Sequence, residues 1–200
     1  IGYLAGQDTQ STNSVAIGSN TAVTTQGTLA VAIGSSAGTT NQGDNAVSVG
    51  SGAGQVSQDV SAVAIGYLAG QNTQGSNSVA IGGNTGVTTQ GTLAVAIGSS
   101  AGTTNQSSYG IAIGRLAGSA TQGGSAISIG QNAGQTTQGE FSIAVGSSTG
   151  KTGQGVRSIA IGLLAGQTNQ GDNGLILSSK GTAVNDTTAG HVHLTSSLAS

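Results

Sequence analysis

A glycine-rich segment near the end of the chain has the residue types of a phosphate-binding loop. Residues 146–152 read GSSTGKT, whereas a loop of the pattern G-x-x-x-x-G-K-[ST] binds phosphates through its backbone N–H groups and its lysine. Gly146 and Gly150 are four positions apart rather than five, so the segment is one residue short. The phrase recurs without the lysine as GSSAGTT at 34–40 and 98–104. We therefore predict a repeated turn here rather than a nucleotide site.

The chain repeats every sixteen residues without an insertion or a deletion. One mark of each repeat is a glycine after Ile or Val, which we call the anchor glycine: Gly2, Gly18, Gly34, Gly50, Gly66, Gly82, Gly98, Gly114, Gly130, Gly146 and Gly162. The other mark is a glutamine eight residues later, which we call the ladder glutamine: Gln10, Gln26, Gln42, Gln58, Gln74, Gln90, Gln106, Gln122, Gln138, Gln154 and Gln170. A fixed short period of this kind is typical of a solenoid.

The composition argues against several classes of function. The 200 residues include 37 glycines, 5% charged and 2% aromatic residues, and no Pro, Cys, Met or Trp. Four basic residues and a net charge of -2 do not favour binding to nucleic acid or an anionic membrane. No run approaches the roughly 18 apolar residues of a membrane span. We therefore predict no nucleic-acid partner and no membrane insertion by this segment.

The phrase SVAIG predicts a short strand in each repeat. Val15 and Ile17 should point to one side and Ala16 and Gly18 to the other, and β-branched residues favour strands. Glycines four residues after the anchor, and after the glutamine, suit turns that need a positive φ. The sequence thus predicts an all-β fold, a parallel β-solenoid of about eleven coils with two strands and two turns each.

Stacked coils should place identical residues above one another. We expect columns of Val, Ile and Ala to fill a narrow interior and the ladder glutamines to form a row of amide hydrogen bonds along the axis. A smaller alternative is that this row contacts a ligand. The predicted core is thin, and the Ala and Gly face of each strand is smooth enough for close packing. We therefore expect chains to associate along their length.

The repeated phrases NSVAIG (13–18 and 77–82), TLAVAIG (28–34) and SAVAIG (61–66) resemble the head repeats of YadA-like trimeric autotransporter adhesins. The resemblance covers residues 1–177. It implies a left-handed parallel β-roll, a side-by-side homotrimer and an adhesive head on a bacterial cell surface. The glutamine-glycine pairs in TTQG and TNQG depart from the usual head pattern.

Repeats with AGxTxQG phrasing, followed by the tail GTAVNDTTAG at 181–190, are similar to fibre and tail-fibre proteins of phages and large viruses. This resemblance implies an extracellular virion fibre with a host-surface receptor or glycan as its partner. We favour a structural and attachment role in such a fibre over the bacterial adhesin head. Because every coil repeats the same residues, no unique catalytic constellation is expected, and the chain is predicted not to be an enzyme.

The periodicity ends after Gln170, and residues 178–200 are predicted to cap or leave the solenoid. His191 and His193 lie in this segment and would face the same side of a strand. In a trimer they would offer six imidazoles around one axis, which suits octahedral iron or a similar transition metal. The spacing is similar to the metal sites of trimeric phage fibre tips. The alternative is a pair of solvated polar residues, and no other cofactor is expected.

Two further features of the sequence leave alternatives open. Paired threonines recur at 24–25, 88–89 and 136–137, and a flat threonine face on a solenoid can bind ice. Other coils place Gln, Asn, Val, Ser or Lys at these positions, so the predicted face is interrupted. The four aromatic residues, Tyr3, Tyr67, Tyr109 and Phe141, are predicted to be exposed but too widely spaced for an aromatic track. One of them could still contact a glycan or receptor.

Overall fold

The computed structural model describes residues 1–196, which form a parallel β-solenoid of about twelve coils of about sixteen residues. Each regular coil contributes one short strand to each of two sheets, and tight turns connect the two strands. The predicted all-β class and parallel stacking are therefore confirmed. None of the described residues belongs to a helix that is long and apolar enough to cross a membrane.

The first sheet contains the ladder glutamines and is called the glutamine sheet. Its eleven strands are Thr9–Gln10, Thr25–Gln26, Thr40–Gln42, Val56–Gln58, Thr73–Gln74, Thr89–Gln90, Asn105–Gln106, Thr121–Gln122, Thr137–Gln138, Thr152–Gln154 and Thr168–Gln170. Each strand pairs in parallel with its counterpart sixteen residues away, so that Gln10 lies beside Gln26. The period of the sequence thus becomes the register of the sheet.

The second sheet consists of strands that begin with Val, Ile or Leu and is called the aliphatic sheet. Its twelve strands are Val15–Ile17, Val31–Ile33, Val47–Val49, Val63–Ile65, Val79–Ile81, Val95–Ile97, Ile111–Ile113, Ile127–Ile129, Ile143–Val145, Ile159–Ile161, Leu175–Ser178 and Val192–Thr195. Ala16 pairs with Ala32 in the same sixteen-residue register. Identical side chains therefore form columns along the axis.

Small residues and glutamines fill the interior. The central alanines of the aliphatic strands point inward, and Ala32, Ala64 and Ala96 are fully buried. From Gly18 onward, the third residue after each anchor glycine is also buried, as Ala37 and Thr85 are. With the exception of glutamine and a single isoleucine in the last coils, no large side chain among residues 1–196 lies fully inside.

The predicted alternation along the aliphatic strand is correct, but the prediction that Val and Ile fill the interior is wrong. Ile17 and Ile33 are 39% and 36% exposed, while Ala16 and Ala32 point inward. The reason is space, because the glutamines of the opposite sheet already occupy the narrow cross-section. Between two ladder glutamines the inward position holds only alanine or serine, and Ile176 occupies it after the last ladder glutamine. The expectation that chains pack together through the Ala and Gly face is therefore also wrong, because the alanines point into the solenoid. The Val and Ile side chains form the outer surface of this sheet.

The glycines serve two different steric needs. Gly38 and Gly70, four residues after their anchors, have φ of 52° and 54° as predicted. The glycine after the glutamine was also predicted to have a positive φ, and this is wrong for Gly43 and Gly91. A Cβ on Gly43 would lie 2.7 Å from the carbonyl carbon of Asp59 in the next coil. This glycine is therefore required because two coils approach closely there, and not for its own φ.

The solenoid continues beyond Leu177 with one longer coil. Leu175–Ser178 pairs in parallel with Val192–Thr195, seventeen residues away instead of sixteen. Asp186 occupies the position of a ladder glutamine, since its carbonyl accepts the N–H of Gly171 at 2.9 Å. The extra residue therefore follows Asp186. The last residues of the predicted cap, 197–200, lie outside the described residues.

Candidate functional site

The ladder glutamines form a buried hydrogen-bonded row. From Gln26 to Gln170 they are at most 3% exposed, whereas Gln10 in the first coil is exposed. Nε2 of Gln42 donates to the Val31 carbonyl at 2.9 Å and to Oε1 of Gln58 at 3.2 Å. The amide thus joins the two sheets of one coil and links that coil to the next. Buried in this way, the row has no surface to offer a ligand.

Three side-chain oxygens of the row lack a hydrogen-bond donor within residues 1–196. Oε1 of Gln26, Gln90 and Gln122 has no hydrogen-bond partner among the described residues. At the other buried ladder positions the preceding glutamine donates to this oxygen, as Gln42 does to Gln58, or an inward serine does, as Ser48 does to Gln58 at 2.6 Å. Unpartnered buried oxygens are costly, so these three coils are weaker points of the ladder.

The GSSTGKT segment is a turn between strands Ile143–Val145 and Thr152–Gln154. Thr149 is fully buried and donates its hydroxyl to the carbonyl of Gly162 in the next coil. The equivalent threonines Thr21 and Thr85 make the same bond at 2.6 Å. The strand Thr152–Gln154 follows the segment, whereas a phosphate loop requires a helix there. Its glycines and threonine are committed to the solenoid.

The outward side of the aliphatic sheet is an apolar surface that runs the length of the rod. We call it the aliphatic face; each strand contributes its first and third side chains to it. Ile65, Ile97, Ile129 and Ile161 are 38%, 36%, 38% and 40% exposed. The valines and isoleucines of the first column are mostly half-buried by their neighbours along the column. Within residues 1–196 of a single chain, no other segment covers this surface.

The outward side of the glutamine sheet is polar. Thr25, Thr89 and Thr137 are exposed there, in the column that directly precedes the ladder glutamine. Asn41 and Gly153 occupy the same column in other coils. The predicted interruption of the threonine face is therefore present in the structure, and ice binding stays an untested alternative.

His191 and His193 both approach Asp186 at the end of the solenoid. His191 is hydrogen-bonded through Nδ1 to Oδ2 of Asp186, and Nδ1 of His193 lies 3.6 Å from the same oxygen. The His191 contact, followed by the Thr188 backbone N–H, lowers the pKa of Asp186 to about 2. Sequence reasoning missed this partner. The available signal was an acid in the position of a ladder glutamine, five residues before the first histidine.

The sequence predicts that the two histidines bind a metal ion in a trimer. Within residues 1–196 of one chain, no three His, Cys, Asp or Glu side chains form a group that could hold a metal. His193 pairs with Ile176 of the preceding strand, whereas His191 precedes its strand and is exposed. A metal shared between chains remains a prediction. Metal analysis of the assembled protein, with His193→Ala as the control, tests it.

The aromatic residues are all more than half exposed. Tyr3, Tyr67 and Tyr109 are 73%, 60% and 60% exposed, and Phe141 is 57% exposed. Tyr3 and Tyr67 directly follow anchor glycines, whereas Tyr109 and Phe141 stand three residues after ladder glutamines. These positions lie on the two borders of the aliphatic face. The aromatic residues therefore form two separate groups instead of one track.

The candidate functional surface is thus the aliphatic face with its two borders. Its residues arise from the repeat itself and do not converge on a unique point. Comparison of the chain with protein-family models, with curated proteins and with solved structures finds no match.

Proposed function

We propose that this chain is a rigid segment of a trimeric extracellular fibre, a viral or phage tail fibre, that spaces or presents a host-attachment tip. Three left-handed solenoids lie side by side in this proposal, with the aliphatic face of each turned toward a common axis. A host-surface receptor or glycan is the partner of the fibre. The alternative source is the head of a bacterial trimeric adhesin.

The observation that carries the proposal is the exposed aliphatic face. Eleven coils at about 4.8 Å each give a face about 50 Å long, and a three-residue strand is about 10 Å wide. Its area of about 500 Å² is at the upper end of what monomeric proteins expose. The burial of Ala32 and Ala96 beneath it adds little hydrophobic stabilisation, since alanine removes little apolar area from water. Covering the face supplies the apolar burial that the interior lacks.

The shape of the face supports three chains. Each strand projects only two side chains outward, such as Val95 and Ile97, so the face consists of two columns of side chains. Three such strips can close around one axis so that their side chains meet at the centre. The resemblance of the SVAIG repeats to trimeric adhesin heads supports the same number and the left hand. Closed rotational symmetry also leaves no apolar strip open.

A spacer role agrees with the repetition of the chain. The buried glutamines bond backbone and side-chain groups of their own solenoid, as Gln42 does with Val31 and Gln58. The coils from Gln26 to Gln170 use their polar interior for themselves in this way. A catalytic site would need one unique convergent group, and a repeated coil supplies length and stiffness in its place.

Sedimentation equilibrium of the purified chain tests the proposal. We expect a mass three times the 18.9 kDa of one chain, independent of loading concentration over the micromolar range. A folded monomer, identified by its β-type circular dichroism and a mass of one chain, would contradict the proposal. A stable dimer would retain the interaction surface and reject the threefold arrangement.

A further inference from the structure

Two columns of residues border the aliphatic face, one on each side. The downstream flank consists of the residues that follow the anchor glycines: Tyr3, Ser19, Ser35, Ser51, Tyr67, Gly83, Ser99, Arg115, Gln131, Ser147 and Leu163. The upstream flank consists of the residues three after the ladder glutamines: Asn13, Leu29, Asn45, Ser61, Asn77, Leu93, Tyr109, Ser125, Phe141, Arg157 and Asn173. Each flank mixes bulky and small residues.

The bulky residues of the upstream flank do not serve the single chain. All eleven positions have a positive φ, and Leu93, Tyr109 and Phe141 have φ of 59°, 62° and 57°. Asn and Gly tolerate this region, whereas bulky residues there are rare and strained. The same three side chains are 46%, 60% and 57% exposed. Neither backbone preference nor burial within one chain explains them, which points to a contact outside the chain.

Rotational symmetry about an axis parallel to the rod brings opposite flanks together. When each chain turns its aliphatic face to the axis, the downstream flank of one chain meets the upstream flank of the next. Coils rise by about 4.8 Å per sixteen residues, or about 0.3 Å per residue. A residue at position n of the downstream flank therefore lies about 2 Å above residue n − 6 in the upstream flank of the neighbouring chain. It lies about 3 Å below residue n + 10 of that same upstream flank.

The sizes of the flank residues fit this pairing. Ser99 would lie between Leu93 and Tyr109 of the neighbouring chain, a small residue between two bulky ones. Tyr67 would lie between Ser61 and Asn77, a bulky residue between two small ones. At these heights the two flanks would interdigitate, with small side chains facing large ones.

The same pattern continues toward the end of the rod. Ser147 would lie between Phe141 and Arg157 of the neighbour, again a small residue between two large ones. Arg115 is the one cation that would meet an aromatic ring, that of Tyr109, as in a cation–π pair. Each of these contacts needs parallel chains at the same height. An antiparallel arrangement would bring like flanks together at different heights.

From this complementarity we infer that the chains associate in parallel and in register, with the downstream flank of each interlocked with the upstream flank of a second copy. The inference rests on the proposed trimer and specifies its lateral contact. The flanks fix the axial position that the uniform Val and Ile columns leave free, since those columns would fit equally well after a shift of one coil.

Cysteine pairs test the contact, because the chain has no cysteine of its own. The matched variant carries Ser51→Cys and Ser61→Cys, which would be neighbours across the interface. The control carries Ser51→Cys and Ser125→Cys, with the same residue types and with Ser61 and Ser125 both at positive φ. The control partner lies four coils, or about 19 Å, further along the axis, beyond the reach of a disulfide or a short thiol linker.

Within one chain, Ser51 and Ser61 lie on opposite sides of the aliphatic face, separated by at least the length of a three-residue strand, about 10 Å. Covalent species after oxidation or linking therefore report contacts between chains. We expect covalent dimers and trimers, and no larger species, from the matched variant, with at least tenfold less from the control. The variants are first shown by sedimentation to keep the wild-type mass.

The outcomes separate the inference from the proposed function. A trimeric mass without covalent species from the matched pair would overturn the flank contact and leave the trimer standing. Equal linking in the control would show that the chains are not held in register and would overturn the flank contact. A monomeric wild-type protein would instead remove the proposed function, and the inference with it.

Discussion

The side-chain amide of Gln42 donates a 3.2 Å hydrogen bond to the side-chain oxygen of Gln58, one coil further along the axis. Gln58 repeats the bond to Gln74 at 3.1 Å and also donates to the Val47 and Ala62 carbonyls at 2.9 Å and 3.1 Å. A buried amide in this row therefore satisfies polar groups in two coils. Its removal takes one hydrogen-bond donor from each of these carbonyls and leaves an unfilled space in an interior that water does not reach.

Replacing one buried ladder glutamine should destabilise the solenoid strongly. Gln58→Ala removes the donors to two carbonyls and leaves a cavity, and we expect a loss of about 2 to 4 kcal/mol. Gln10→Ala is the matched control, because Gln10 is exposed; its effect should stay within about 0.5 kcal/mol. Chemical denaturation at one fixed protein concentration measures both. Equal effects would mean that the row does not hold the coils together.

The inward position of the alanines predicts intolerance to extra volume. Ala96→Val adds two methyl groups to a fully buried site beside the glutamines, and overpacking should cost about 1 to 3 kcal/mol. Ala120→Val is the control, since Ala120 is only half-buried and the equivalent position in another coil is Val56. Melting temperatures at equal concentration compare them. If Ala96→Val left the melting temperature unchanged, Ala96 would have to point outward and the valines of the aliphatic strands would have to point inward.

The anchor glycines should not accept even alanine. Gly98 has φ of 122°, and a Cβ there would lie 2.9 Å from the carbonyl carbon and oxygen of Gly114. Gly98→Ala should therefore reduce the yield of folded protein and lower its melting temperature. At the adjacent flank, Gly83→Ala meets no described atom within 4 Å and should be neutral or slightly stabilising. A normal melting temperature for Gly98→Ala would show that the coils are further apart than described.

The end of the solenoid should respond to acid through Asp186. The pKa of its carboxyl is lowered from 3.8 to about 2, mainly by the hydrogen bond to His191. A lowered pKa stabilises the folded form above pH 3.8, and this contribution disappears as the pH falls from about 4 to about 2. NMR titration of the carboxyl should give a midpoint near 2 in the wild type and a midpoint closer to 3.8 in His191→Ala. Identical midpoints would contradict the contact.

Periodicity predicted more of this fold than hydrophobicity did. The sixteen-residue spacing of Gly18 and Gly34 determined the parallel register, because any other pairing would misalign every column. Alternation in SVAIG identified two faces but not which one is inward. That choice depends on the cross-section left by Gln26 and its neighbours, which no local pattern encodes. The contact between Asp186 and His191 lies in the last coil, which is one residue longer than the others. The sixteen-residue period therefore could not predict it.

The most direct test of the central claim is the sedimentation mass of variants with charges on the aliphatic face. Ile97→Asp with Ile129→Asp places two carboxylates per chain on that face, where burial between chains would leave them without partners. Thr89→Asp with Thr121→Asp adds the same charge to the exposed polar side of the glutamine sheet. We predict loss of the trimeric mass in the first variant and its retention in the second. An unchanged trimeric mass for the isoleucine variant would contradict assembly through the aliphatic face.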